Sequence, residues 1–146
     1  MVVRSSEIAE DVLRERLKAE GYLLTARRGH GETGVDIFAK KGEVVYAIDV
    51  IGYKEQGPAR AKDFFEGFFR TISRIDQHPG ATPVLALPRE FAVGARARRS
   101  NHGSGWDRIG QAFPEFEIWY VDCEARAYRS IKWNDFGLCN PWHEAI

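Results

Sequence analysis

A chain of 146 residues fits one domain and is long enough to bury a core without staples. Basic and acidic side chains number 21 each, so the formal net charge is +0 and any grip on nucleic acid must come from a local patch. No apolar run is long enough for a membrane span, no apolar signal segment precedes Arg4, and Cys123 and Cys139 form no CxxC pair. We therefore expect a cytoplasmic chain with no membrane contact and with two free thiols, a Cys123–Cys139 bridge being the alternative.

In chain order, the first expected element is a helix over Ser5 to Glu20, capped by Ser5 or Ser6. Ile8, Ala9, Val12, Leu13 and Leu17 form its apolar stripe, and Gly21 ends it. Tyr22 to Arg27 reads as a short strand. The glycine-rich run Gly29 to Gly34 is a turn. Val35 to Ala39 and Val44 to Ile51 read as strands joined by a tight turn at Lys40–Glu43. Pro58 opens a second helix that runs to about Ile75, with Ala61, Phe64, Phe65, Phe68, Phe69 and Ile72 as its buried face. A strand over Thr82 to Leu87 and a helix over Glu90 to Arg99 follow. Asn101 to Gly105 reads as a flexible loop and Trp106 to Ala112 as a short helix. Phe116 to Val121 and Ala127 to Trp133 are the last strands. The tail from Asn134 carries Phe136 and Trp142 and is expected to pack back on the body. The order predicts an α/β fold with a mixed central sheet flanked by helices.

Gly29-His30-Gly31-Glu32-Thr33-Gly34 matches G-x-G-x-x-G literally. A dinucleotide loop needs a helix after its last glycine, whereas Val35 to Ala39 is a strand pattern. Asp49 is the most informative residue, because it sits in Val44 to Ile51, a run apolar on both faces. A carboxylate there is costly unless it is paired, hydrogen-bonded or bound to a metal. Asp36 lies on the preceding strand, and the short hairpin brings the two together. Two such oxygen ligands suit Mg²⁺ or Mn²⁺, which activate water and offset phosphoryl charge. Taken alone, Asp36 reads equally as a turn cap or a partner for arginine or lysine.

Glu10 on the first helix, Gly21-Tyr22, the turn Gly31 to Gly34, Gly34-Val35-Asp36 and Asp49-Val50-Ile51 together resemble the PD-(D/E)xK nuclease superfamily, most closely its Mrr-type restriction endonucleases. The resemblance spans roughly Ser6 to Ser73. It implies a restriction endonuclease-like αβββαβ core, with Asp36 and Asp49 as metal ligands and Glu10 as a supporting carboxylate. Glu10 also reads as a solvated helix charge. The chain departs from the pattern at Ile51, where the family's lysine orients the attacking water. Lys54 is the proposed substitute, provided that a bulge at Gly52 restores its face. Lys40 and Lys62 are the other candidates.

Arg96, Arg98 and Arg99, with Arg89 and Arg108, surround the stretch from Ser100 to Gly105. They read either as contacts to nucleic-acid phosphates or as a solvated helix face. Arg60, Arg70 and Arg74 extend such a patch along the second helix. His30, His78, His102 and His143 have no zinc-ligand spacing to Cys123 or Cys139. Trp119 reads as core, and Trp106, Trp133 and Trp142 as core or base-stacking residues. The expected function is a Mg²⁺- or Mn²⁺-dependent DNA endonuclease, working as a homodimer or with a larger partner protein. The alternatives are a degenerate module that binds DNA or a protein without cutting, and a structural protein with no nucleic-acid role.

Overall fold

The computed structural model describes residues 3–29 and 31–138. His30, Cys139, Trp142 and His143 lie outside them. Helix α1 spans Ser6–Ala19, and the Ser5 hydroxyl accepts the Ile8 N–H at 3.1 Å to cap it. Its stripe buries Ala9, Val12, Leu13 and Leu17, while Ile8 stays exposed. Strand β1 is only Leu23–Leu24, β2 is Ile37–Lys41 and β3 is Val44–Val50. Gly42, at φ +61°, makes the two-residue turn between β2 and β3. Helix α2 spans Gly57–Gln77, with Pro58 in its first turn. Strand β4 (Thr82–Pro88) leads to helices α3 (Phe91–His102) and α4 (Ser104–Ala112). Strands β5 (Glu117–Asp122) and β6 (Ala127–Lys132) complete the sheet, and a short 3-10 turn, Trp133–Asp135, follows.

The six strands lie in the order β1-β2-β3-β4-β5-β6. β1, β2 and β3 are antiparallel neighbours, β3, β4 and β5 run parallel, and β6 returns antiparallel to β5. The protein is therefore an α/β fold with a mixed six-stranded sheet flanked by helices. Alternation along the strands divides the core in two. Ile37, Ile48, Val84, Ala86 and Trp119 pack with α1. Ile51, Leu85, Leu87, Ile118 and Tyr120 pack with Phe64 of α2, Phe91 of α3 and Trp106 of α4. No helix among the described residues is long and apolar enough to cross a membrane.

Three sequence expectations change. The strand expected over Tyr22 to Arg27 shrinks to two residues, because β2 pairs with it only at Ala39 and Lys40. The stretch Asn101 to Gly105 is not an open loop. α3 runs to His102, Gly103 breaks the helix at φ +55°, and α4 starts at once. That start places Trp106 4.3 Å from the Trp133 ring. On α2 the buried stripe is Phe64, Gly67, Thr71 and Arg74, which leaves Phe65 and Phe69 exposed. Trp106, Trp119 and Trp133 are all core, and Phe136 is fully buried. Cys123 is a free, half-buried thiol.

Asp122 closes the β5–β6 turn. Its carboxylate accepts the N–H groups of Glu124 (3.1 Å) and Ala125 (3.0 Å) and pairs with Arg89 at 2.9 Å. Burial alone would push this carboxyl up, but the Ala125 N–H and Arg89 outweigh it and hold it below the ordinary aspartate value. A depressed carboxyl stabilises the fold above the unfolded-state value, and the contribution is lost as pH falls through the folded one. Asp122→Asn should cost about 2 kcal/mol at pH 7, and the difference should shrink towards zero in strong acid. Denaturant titrations at neutral and acid pH check this.

Candidate functional site

Asp36 and Asp49 meet where the β2–β3 ladder ends. Ile37 pairs with Ile48, so the next cross-strand neighbours are these two carboxylates. The Asp36 carboxylate continues the pairing by accepting the Val50 N–H at 2.8 Å. Its other oxygen pairs with Arg28. Arg28 is anchored in turn by the Glu32 carbonyl at 2.6 Å. The glycine-rich turn thus delivers a guanidinium onto Asp36.

Asp49 is 0 % exposed and faces α2. Arg74 of α2 grips it as a fork, Nε to Oδ2 at 3.1 Å and Nη2 to Oδ1 at 2.8 Å. The Thr71 hydroxyl donates to Oδ2 at 3.3 Å. Gln77 holds the third nitrogen of Arg74 at 2.7 Å. Burial pushes the Asp49 carboxyl above its ordinary value, Arg74 pulls it back, and the charge of Asp36 adds to the rise.

Glu10 is not a solvated charge. It accepts from Arg14 at 2.7 Å and lies 3.3 Å from Arg27. It shares with Glu7, Asp11, Glu32, Asp36, Arg27 and Arg28 a cleft of about 600 Å³. Arg14 also donates to the Asp36 carbonyl at 3.0 Å and ties α1 to this edge.

The lysine position is filled by core. Ile51 packs with Phe64 and Leu85 beneath α2. A Cβ on Gly67 of α2 would come within 3.0 Å of the Ile51 side chain, so the helix lies close over this strand. Beyond Ile51 no bulge turns Lys54 inward. Tyr53 instead bridges to Arg4. Lys54 is 60 % exposed and pairs with Asp63 at 3.0 Å. Among the described residues it makes no hydrogen bond or ion pair to Asp36 or Asp49. Lys40 is exposed at the other end of β2, and Lys62 is exposed beside Glu66.

The arginines of α3 divide. Arg98 lies over the rings of Phe64 and Phe65, 5.4 and 5.5 Å from their centroids. Arg99 pairs with Asp107 and donates to the Asn134 carbonyl, each at 2.9 Å. Arg96 alone of the three is exposed.

Carboxylate oxygens are the donor type that Mg²⁺ and Mn²⁺ prefer. As placed, however, each of Glu10, Asp36 and Asp49 is matched to a guanidinium. Among the described residues, no three His, Cys, Asp or Glu side chains cluster to hold an ion. This set does not fit a divalent cation without displacing arginines. Comparison with family models, curated proteins and solved structures finds no match.

Arg74 is the residue that sequence reasoning assigned to the surface. Its place on the helix carries a partial signal, of burial but not of which carboxylate it meets. It follows Phe64, Gly67 and Thr71 on one helical stripe, and an arginine on a buried stripe requires a carboxylate. Removing one member of a buried pair costs about 3–5 kcal/mol, whereas replacing both with apolar residues is often neutral. Arg74→Met should therefore destabilise the protein by about 3 kcal/mol. The double change Asp49→Leu with Arg74→Met should recover most of that loss. Urea unfolding of both variants checks it.

Proposed function

We propose that this chain is a nuclease-like module, with a restriction endonuclease-like core, that holds nucleic acid by its phosphates without cutting it. The observation that carries the reading is the fork of Arg74 on Asp49. Both carboxylate oxygens needed for a metal are committed to one buried guanidinium. Three further features support it. The order α1-β1-β2-β3-α2-β4 follows the αβββαβ core, and Asp36 and Asp49 sit at adjacent strand ends. Ile51 puts an apolar core side chain where the family pattern has its lysine. Arg28, Arg70 and Arg74 line one side of the carboxylate centre, a local basic patch in a chain of zero net charge. Selectivity for a particular DNA would come from a homodimer or a larger partner protein.

The test combines a gel shift with plasmid cleavage in Mn²⁺ or Mg²⁺. Wild type should retard DNA, with affinity falling roughly 10- to 100-fold between roughly 50 and 200 mM salt. It should not nick the plasmid. Nicking that Asp36→Ala abolishes would replace this reading with the metal-dependent endonuclease. Absence of retardation at low salt would remove nucleic acid from it.

A further inference from the structure

Behind the carboxylate centre lies a cleft of about 720 Å³, open at the C-terminal half of α2. Its walls are Arg28, Arg70, Arg74 and His78, with Thr33 and Ser73 between them. Among the described residues, no acidic side chain lines it. Asp36 and Asp49 stand behind the arginines that they orient. Arg28 and Arg74 are thus held in place as donors, with N–H groups left over after pairing. Arg70 differs from both. It is exposed and makes no ion pair with a described residue. Within the lining of this cleft the charged side chains are guanidiniums; Arg28 and Arg74 are paired from behind by Asp36 and Asp49, while Arg70, which also feels Asp49, stands with Asp63 and Glu66 in the adjoining cleft. Gly34, at φ +122°, has open space where a side chain would stand, so an anion can approach the turn's backbone.

We propose that this cleft is a single-phosphate site with Arg70 as its anchoring cation. A lining whose charged side chains are guanidiniums suits an anionic phosphate. The preorganised guanidiniums supply paired N–H donors of the kind that phosphate oxygens accept. Arg70 also lines the neighbouring cleft, where Lys54 is accompanied by Asp63 and Glu66, so the phosphate site is confined to the first cleft. A backbone phosphodiester is preferred to free phosphate as its occupant. Only this last choice of ligand rests on the nucleic-acid reading above.

The test is a titration of the whole chain, followed by amide NMR, with inorganic phosphate in one arm. The other arm uses a short thymidine oligonucleotide without terminal phosphates. Phosphate should shift Thr33, Gly34, Ser73 and His78 saturably. Arg70→Glu should weaken binding by at least about tenfold, and Arg70→Lys should restore part of it. Lys18→Glu, on the exposed side of α1, should change nothing. Shifts at the same residues by the oligonucleotide place a backbone phosphate in the cleft. Shifts by inorganic phosphate alone keep the site but assign it to free phosphate, and count against the nucleic-acid reading. Shifts scattered over surface arginines, or unchanged in Arg70→Glu, would overturn the site.

Discussion

Asp49 carries a negative charge into the middle of a sheet, where water does not reach it. Desolvating a carboxylate costs several kcal/mol, and a fixed countercharge with good geometry is what makes the position tolerable. Arg74 supplies that charge from α2, 25 residues further along the chain. The pair constrains what surrounds it. Helix α2 must lie close enough over β3 for the fork to close, and Gly67 permits the approach. Ile51, two residues beyond Asp49 on the same face, is then covered by the helix and must be apolar. A cation at that position would have to sit in the core. The apolar Ile51 and the buried ion pair are two consequences of one packing arrangement.

The same arrangement repeats more loosely towards the edge of the sheet. Asp36 caps β3 through the Val50 N–H and draws in Arg28 from the glycine-rich turn. Glu10 draws in Arg14 and Arg27. Three carboxylates that could have gathered around a metal instead organise arginines. Carboxylates fix these guanidiniums in place, and the more exposed ones, Arg27 and Arg28, keep N–H groups that suit an anion. The proposed reading, phosphate held and not hydrolysed, rests on this use of the carboxylates.

Much of this was legible from the amino-acid order. The apolar run around Asp49 marked a buried strand and a charge in need of a partner. The hairpin through Gly42 placed Asp36 beside it, and Asp36 read alone as a cap or an arginine partner describes its contacts. What was not legible was which cation answers Asp49. Such a pairing joins a strand to a helix after it, and no local spacing encodes that reach. Phe65 and Phe69 misled for a related reason. The six residues Ala61, Phe64, Phe65, Phe68, Phe69 and Ile72 of α2 span a broad arc, and the orientation that Arg74 shares with Phe64, Gly67 and Thr71 sets which of them face inward. Arg98 and Arg99 looked free because their partners, the Phe64 and Phe65 rings and Asp107, lie on other turns or other helices.

In the proposed reading, arginines occupy the carboxylates that a metal would need. Calorimetric titration of Mn²⁺ into wild type and Asp36→Ala tests it without any assumption about substrate. The account predicts the same weak, unsaturated heats for both proteins up to millimolar ion. A saturable site in wild type that disappears in Asp36→Ala would contradict it.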